Sequence, residues 1–570
     1  MENQQGVDGE PKDDRADKPA AAKKSPLLKT ILVFIALTVI IAAAVLLFTG
    51  RELSGVDPLM LVRRDTVLLI SYDYLASHKS GKRLSETYSR WKNTDPFRQA
   101  KSLLALRTGL DADEDFLSWA GPRFCIAAGA DRDSRTGLNR CLSEFPLVLI
   151  ASVRDAEKLR ETMDRIKRLY REKNGSDYRE ERYRGIEVNI PDHKGFIHFS
   201  HCRQYFIVST NKEGLKKAID TLQTPAESIA VSKNYRDFCS RLSKPRELTF
   251  YCNVKQWRSE SAMAEALNQN LLKKVDNLGF AVIREKDAIL LDGILISPGS
   301  APDSNLTKIS SDSGLMSLPR FIPGELPFTM MVNSSSIPLV DALYSLISPG
   351  QSAGLRDLFE KVSRTVASKD IDVKPSDLSG EMSISVDIVA FLKQSLLEKR
   401  KVLDDGGPVP ALLALGLRDD PQKALISKFR IDERKHLGSR YKDYRLFSKN
   451  GLAFLALDRF VFISLDGSED QLRRIIDTQS LPTLSMEKSS FYSQSSPEER
   501  AQAGQVKSPE LFLLYLSFND IAPLLGFYSA VKPEAKGIAH FVNTYRGIWI
   551  RVSMGSDCLR ARILLEGTGH

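Results

Sequence analysis

Hydrophobic residues follow two kinds of pattern along the chain. Residues 30–50 form one uncharged, mostly apolar run, TILVFIALTVIIAAAVLLFTG. Elsewhere the apolar runs are of strand length, such as PLVLIASV at 146–153 and FVFISL at 460–465. They alternate with segments whose apolar residues recur at i, i+3, i+4 and i+7, the spacing of one helix face. This patterning predicts one membrane-spanning segment followed by a mixture of strands and helices.

The long apolar run matches the dimensions of a bilayer. At 1.5 Å per residue it spans roughly 30 Å, the thickness of the hydrocarbon core. A cleaved signal peptide is the alternative, but its apolar core covers only about 7–15 residues and ends at a small-x-small site. The run here is longer, and FTGR at 48–51 is a poor cleavage site. We therefore predict a retained transmembrane helix over residues 30–50, in contact with the lipid bilayer.

Charges flanking this run predict its orientation. Lys23, Lys24 and Lys29 precede it, whereas Arg51 alone follows closely, so the positive-inside rule places the N-terminus in the cytoplasm. Residues 1–29 are rich in Asp, Lys, Pro and Ala and are expected to form a disordered cytoplasmic tail. The chain is thus predicted to be a single-pass, type II protein of the plasma (inner) membrane, with its bulk extracytoplasmic or periplasmic.

An internal duplication is the most specific pattern in the chain. Residues 195–222 read GFIHFSHCRQYFIVSTNKEGLKKAIDTL, and residues 451–479 read GLAFLALDRFVFISLDGSEDQLRRIIDTQ. Aligning them pairs Arg203 with Arg459 and LKKAIDT with LRRIIDT. Each copy predicts two apolar strands that meet at a tight turn, followed by a helix.

The helix of each copy has an apolar face and a basic pair. The apolar face is expected to be buried against the sheet and comprises Leu215, Ile219, Leu222, Leu472 and Ile476. The basic residues lie away from that face and are Lys216, Lys217, Arg473 and Arg474. They are either simply solvated, or they meet an anionic surface such as lipid headgroups.

Weaker matches extend the repeat outward and divide the chain. We predict a first α+β repeat over residues 57–297, a linker over 298–321 and a second α+β repeat over 322–568. Strand pairs joined by tight turns are antiparallel neighbours, and the helices between the pairs are expected to cover one face of each sheet. The predicted fold class is α+β, with two tandem, internally duplicated halves of antiparallel sheet.

The densest group of metal-capable side chains comprises His193, His198, His201 and Cys202. Side chains alternate faces along a strand, so His198 and His201 would point in opposite directions. Their aligned counterparts in the second copy, Phe454 and Leu457, are apolar. The pattern therefore favours packing over metal binding.

An acidic segment, DADED at 111–115, begins like a calcium-binding loop. Such a loop needs Gly at its sixth position and Glu at its twelfth, where this chain has Phe116 and Pro122. The acids are better explained by the preference of negative charge for a helix N-terminus.

Six cysteines leave two interpretations open. Cys125 with Cys141, and Cys239 with Cys252, are close enough in sequence to bridge neighbouring strands. Alternatively, all six are buried thiols that act as small hydrophobic residues. Spacing alone does not decide between them.

Few motifs in the sequence are typical of catalysis. It contains no H-E-x-x-H, G-x-x-x-x-G-K-[ST] or G-x-G-x-x-G pattern and only seven histidines, and its single G-x-S-x-G match, GQSAG at 350–354, is short enough to occur by chance. We therefore predict no catalytic, cofactor-binding or metal-binding residue, no cofactor and no enzymatic activity. The net charge of +9 is not concentrated in a basic stripe with aromatic residues, so nucleic acid is not an expected partner.

Three features resemble a known family. They are RDTVLLIS at 64–71, the segment GLD at 109–111 followed by DFLSWAG at 115–121, and the duplicated hairpin and helix. In these the chain resembles a bacterial family of single-pass envelope proteins, the domain of unknown function 3352. The second half departs from the Trp-containing motif and has DLSG at 377–380 instead. The family has no assigned activity, so the resemblance implies no functional residues.

Together these patterns predict a membrane-anchored extracytoplasmic envelope protein. Its expected role is a non-enzymatic binding or scaffold module for an envelope protein, a lipid or a wall polymer. The alternative is an envelope hydrolase or transferase with a site between the two halves.

Overall fold

A computed structural model of the chain describes a large sheet and the helices packed against it. The described residues are 57–73, 110–111, 113–129, 147–193, 196–260, 275–285, 288–297, 316–324, 326–333, 377–387, 411–486, 510–518, 521–523, 542–554 and 558–567, with positions 102, 373 and 539. The predicted tail at 1–29 and the predicted transmembrane helix at 30–50 lie outside these residues. Within the described ranges, no helix is both long and apolar enough to cross a bilayer.

Ten strands precede residue 297. They are β1 (Thr66–Asp73), β2 (Ala120–Gly129), β3 (Leu147–Val153), β4 (Arg179–Tyr183), β5 (Ile186–Ile190), β6 (His198–Cys202), β7 (Tyr205–Ser209), β8 (Leu248–Asn253), β9 (Asn277–Glu285) and β10 (Ala288–Ile296). All neighbours are antiparallel, and their order across the sheet is β4-β5-β6-β7-β3-β2-β1-β8-β9-β10.

Ten more strands follow. They are β11 (Phe328–Asn333), β12 (Leu378–Val386), β13 (Ala411–Leu417), β14 (Leu437–Tyr441), β15 (Tyr444–Lys449), β16 (Leu452–Leu457), β17 (Phe460–Ser464), β18 (Glu510–Ser517), β19 (Tyr545–Met554) and β20 (Cys558–Gly567). Their order is β14-β15-β16-β17-β13-β12-β11-β18-β19-β20, again antiparallel throughout.

The two sets of strands form one sheet. Strand β10 pairs with β20 along its whole length, from Ala288 opposite Glu566 to Ile296 opposite Cys558, which joins the sets into a 20-stranded sheet. The predicted antiparallel α+β fold is therefore confirmed.

In the described part of the chain, six helices pack against the sheet. They are α1 (Ala156–Asn174), α2 (Lys212–Gln223), α3 (Lys233–Arg241), α4 (Val254–Glu260), α5 (Pro421–Ser427) and α6 (Glu469–Ser480). Local sequence explains where they begin and end. Asp155 accepts hydrogen bonds from the first backbone amides of α1, and Gly175 ends that helix at φ 68°. Asn211 caps α2 by accepting from the Gly214 amide.

Helices cover both faces of the sheet, so the prediction that they cover one face is wrong. Helix α1 packs with Phe206 on one face, whereas α2 and α3 pack with Ile207 on the other. Strand β7 is buried at all five positions, and β3 is buried at its five central positions. Strands with apolar side chains at consecutive positions need cover on both faces.

The hairpin before each helix corrects the sequence alignment. Residues 202 and 205 flank a two-residue turn that begins at Arg203 with φ 55°, and residues 457 and 460 flank one that begins at Asp458 with φ 53°. Arg203 therefore corresponds to Asp458, and the predicted match with Arg459 is wrong by one residue. The loop before α6 is two residues longer than the loop before α2, which restores the agreement between the helices.

The predicted apolar faces of α2 and α6 are buried as expected. Leu215, Ile219, Leu472 and Ile476 are at most 1% exposed, so the prediction is confirmed for them. Leu222 is only partly buried at the edge of the same core.

Candidate functional site

A cleft of about 50 Å³ lies between α2 and the sheet of the first half. Its walls come from β2, β3, α2 and the segment that leads into β1. The lining residues are Leu61, Val62, Arg63, Asp65, Thr66, Ala127, Gly129, Val148, Ile150, Gly214, Lys217 and Ala218. Most of this wall is apolar, and we call it the Lys217 cleft.

Charged groups gather at the mouth of the Lys217 cleft. The Arg63 guanidinium donates hydrogen bonds of 3.0 and 2.8 Å to the Asp65 carboxylate and lies 3.9 Å from Glu227. The hydrogen bond to Asp65 raises the pKa of Arg63. Lys217 is exposed on α2 at the same mouth. Arg63 is thus balanced by two carboxylates, and Lys217 is the cation of this lining that would attract a small anionic group.

A smaller cleft of about 10 Å³ lies at the corresponding place in the second half. Its lining residues are Pro323, Leu326, Ser385, Asp387, Leu412, Gln471 and Arg474. Gln471 and Arg474 occupy the positions on α6 that Gly214 and Lys217 occupy on α2. A glutamine in place of a glycine fills the space, and Asp387 balances Arg474. This cleft is therefore narrower, and its lining has no net charge.

Both clefts are too small for a typical enzyme substrate. Ligand pockets usually measure roughly 300–1,000 Å³, whereas a water molecule takes about 30 Å³. The Lys217 cleft can hold one small group, such as the phosphate of a larger molecule that remains outside. Lys217 is the group of its lining that could pair with such an anion.

The four basic residues predicted on the two helices behave in two ways. The Lys216 ammonium lies 5.1 Å from the centre of the Tyr183 ring and 3.9 Å from Glu213. Arg473 occupies the same position on α6, 5.6 Å from the Tyr441 ring, and is paired with Glu469 at 3.2 Å. The second residues of the pairs, Lys217 and Arg474, are exposed and line the clefts.

A buried ion cluster lies where the halves meet. Asp292 on β10 is 0% exposed and accepts hydrogen bonds from Arg560 at 2.7 and 2.5 Å and from the Ser243 backbone amide at 2.7 Å. Arg562 lies 3.5 Å away. Burial by itself would raise the pKa of Asp292, but the hydrogen bonds and the charges of Arg560 and Arg562 hold it below the usual range. The cluster lies at the boundary between β10 and β20, which we call the seam, and helps to hold the two strands together. Its carboxylate is enclosed rather than available to a substrate.

The histidine group is not brought together. His198 and His201 lie on β6 three positions apart, so they point to opposite faces as predicted. Burial lowers the pKa of both imidazoles. Given the turn register, their counterparts in the second half are Ala453 and Ala456, so the predicted counterparts Phe454 and Leu457 are wrong by one position. In the described ranges no three His, Cys, Asp or Glu residues are placed to share a metal ion.

The acidic segment at 111–115 begins a short helical turn, as predicted. The Asp111 carboxylate accepts from the Glu114 amide, and the Asp115 carboxylate accepts from the Asp111 amide. Asp115 is also paired with Arg165 at 3.0 Å. The Trp119 indole donates to the Asp115 carbonyl, which locks the turn against the core.

Five cysteines are described, and each is a free thiol. Cys239 and Cys252 are therefore not bridged, whereas Cys141 lies outside the described residues, so a bridge from Cys125 stays untested. Burial raises the pKa of Cys252 to about 12 and holds that of Cys125 well above its usual value. The described thiols are packing residues rather than nucleophiles.

The Asp292 cluster was not predicted from the sequence, although an isolated charge in an apolar strand indicates a buried ion pair. Asp292 is the one charge in the apolar strand AILLDGILI at 288–296. A charge in such a run needs a buried partner, but only the pairing of β10 with β20 identifies Arg560 and Arg562.

A family model described as "Protein of unknown function (DUF3352)" matches residues 32–336, more than half of the chain. The chain belongs to this family. The match spans the Trp119 motif and the first copy of the hairpin and helix, which carried the resemblance in the sequence. No curated protein matches the chain significantly.

Solved structures offer weak similarities. Crystal forms III and IV of TP0453 are 10% and 9% identical to this chain, with TM-scores of 0.25 and 0.24. The alignments cover 46% and 43% of this chain and 89% and 81% of TP0453. Similarity at this level supports no inference about function.

Proposed function

We propose that the chain is a membrane-anchored, extracytoplasmic binding module without enzymatic activity. It holds an anionic group, such as the phosphate of a lipid headgroup or a wall polymer, at the Lys217 cleft. The observation that carries this proposal is the exposed Lys217 at the mouth of a cleft too small to enclose a substrate. The seam between the halves, where a hydrolase site was the alternative, is filled by the Asp292 cluster.

We also propose that the two halves of the chain arose by an internal duplication. In its favour, the strand order β4 to β10 in the first half is repeated as β14 to β20 in the second. Helices α2 and α6 also follow the same hairpin in both. On this view the Lys217 cleft binds a ligand, whereas Gln471 fills the corresponding cleft of the second half.

Replacing Lys217 with Gln is expected to weaken the binding of a soluble phosphate ligand. Short-chain, water-soluble phosphatidylglycerol is titrated into the full chain in non-ionic detergent and followed by calorimetry. We expect a loss of about tenfold in affinity, because a hydrogen bond to a charged group contributes roughly 1.5–3 kcal/mol. The melting temperature should change little, since Lys217 is exposed.

Arg474→Gln is the matched control, because it makes a similar change at the same helix position beside the narrower cleft. It should leave the affinity within about twofold of the unchanged chain. Equal losses in the two variants would contradict a site at the Lys217 cleft. Inorganic phosphate in a parallel titration distinguishes a free anion from a lipid headgroup as the better ligand.

The predicted anchor is tested by topology. A cysteine introduced at Gly6 should resist a membrane-impermeant thiol reagent in intact cells, whereas one at Asn305 should react, because the positive-inside rule places them on opposite sides. Reaction at both positions would reject the orientation. A mature chain that begins after residue 50 would reject the retained anchor.

A further inference from the structure

An exposed apolar loop follows α6. Leu481 and Leu484 are 57% and 51% exposed, and Pro482 and Thr483 between them are exposed as well. The backbone of the loop is firmly held, because the Leu484 carbonyl accepts from the Gly324 amide at 2.9 Å. Two large apolar side chains are thus presented to solvent on a fixed loop, which we call the Leu481 loop.

The corresponding loop of the first half is polar. It follows α2 with the same backbone geometry, since the Glu227 amide donates to the Thr224 carbonyl at 2.9 Å as the Leu484 amide does to the Leu481 carbonyl. Thr224 and Glu227 stand where the second half has Leu481 and Leu484. The backbone therefore folds without leucines, and their exposure needs a reason other than the stability of the loop.

A second difference lies across the loop. Arg63 bridges to Ser228 in the first half, and Pro323 makes the same bridge to Ser485 in the second. The ion pair of Arg63 with Glu227 is thereby replaced by a proline beside Leu484. Where the first half has the charged residues Arg63 and Glu227, the second half therefore has the apolar residues Pro323 and Leu484.

We propose that the Leu481 loop inserts its two leucines into the headgroup region of a phospholipid bilayer. Two leucines offer far less than the roughly 800 Å² per partner that a stable protein interface buries. A bilayer can accept a few apolar side chains at its boundary while basic groups meet its phosphates.

A basic side chain lies beside the Leu481 loop, where it could contact lipid phosphates. The Lys442 ammonium lies 3.2 Å from the Ser480 hydroxyl, next to Leu481, and is paired with Asp477 at 2.7 Å. Long basic side chains beside an inserting loop can reach lipid phosphates. None of this depends on the Lys217 cleft.

The test places an environment-sensitive fluorescent amino acid at Thr483 by stop-codon suppression, in the full chain. The emission of the chain in nanodiscs of phosphatidylcholine and phosphatidylglycerol is compared with its emission in lipid-free non-ionic detergent. The matched control is the same fluorophore at Ala226, the corresponding exposed position of the polar loop. We expect a blue shift at Thr483 in the presence of lipid and none at Ala226.

The variant L481T/L484E gives the loop the polar residues that the first half already has. It should abolish the shift, because the apolar area is lost, with an unchanged melting temperature. A shift at Thr483 that survives this variant, or that equals the shift at Ala226, would overturn the proposal. So would a shift that depends on protein concentration without lipid, which would indicate a second copy instead. The shift should persist in Lys217→Gln, which separates this proposal from that of the Lys217 cleft.

Discussion

Asp292→Asn is expected to lower the free energy of unfolding by about 3–5 kcal/mol, the usual cost of removing one partner from a buried ion pair. The change leaves the guanidinium of Arg560 in the seam without its carboxylate, and Arg562 beside it is only 8% exposed. Chemical denaturation of the full chain in detergent, followed by circular dichroism, measures the loss. Asp477→Asn is the control, because it breaks a pair with Lys442 at 42% exposure, where little stability is at stake.

The pH dependence of stability provides a second readout of the same residue. The folded-state pKa of Asp292 lies below its ordinary value, so its contribution is present above the unfolded pKa of about 3.9 and is lost as the pH falls through the folded pKa. In Asp292→Asn this part of the acid destabilisation should disappear. A variant that kept both the stability and the acid profile would show that the seam does not depend on the cluster.

Ile219→Ala and Ile476→Ala are each expected to destabilise the chain by about 2–5 kcal/mol. Both side chains are 0% exposed between a helix and the sheet, and their removal leaves a cavity that packed surroundings fill only partly. Thermal unfolding compares them with Leu222→Ala, which should cost less because Leu222 lies at the edge of the core. An equal cost at all three positions would contradict the burial seen in the structure.

Sequence patterns predicted the features that depend on local physics. The apolar spacing of Leu215 and Ile219 predicted the buried side of α2, since a helix period of 3.6 places them on one face. The hairpin was also predicted, but its register in the second copy was not. The alignment allowed one inserted residue, whereas the loop before α6 is two residues longer than the loop before α2. A one-residue slip exchanges the faces of every side chain on a strand.

Features that depend on distant segments were beyond the sequence. Lys216 and Lys217 are adjacent and chemically identical, yet one packs over a tyrosine from β4 and the other lines a cleft. The difference arises from a hairpin about thirty residues earlier and from the segment before β1. The helices on both faces were missed for a similar reason: the continuous apolar runs of β3 and β7 indicated double burial, but only the packing shows what covers each face.

The continuous pairing of β10 with β20 sets the length of the sheet. Nine residue pairs hold the two halves together, so the strands of both halves belong to one continuous sheet. From the outer edge of β4 to that of β14 the ladder measures roughly 90 Å along its curve, at about 4.8 Å per strand. A sheet of that length would hold groups bound at its two ends at a set spacing.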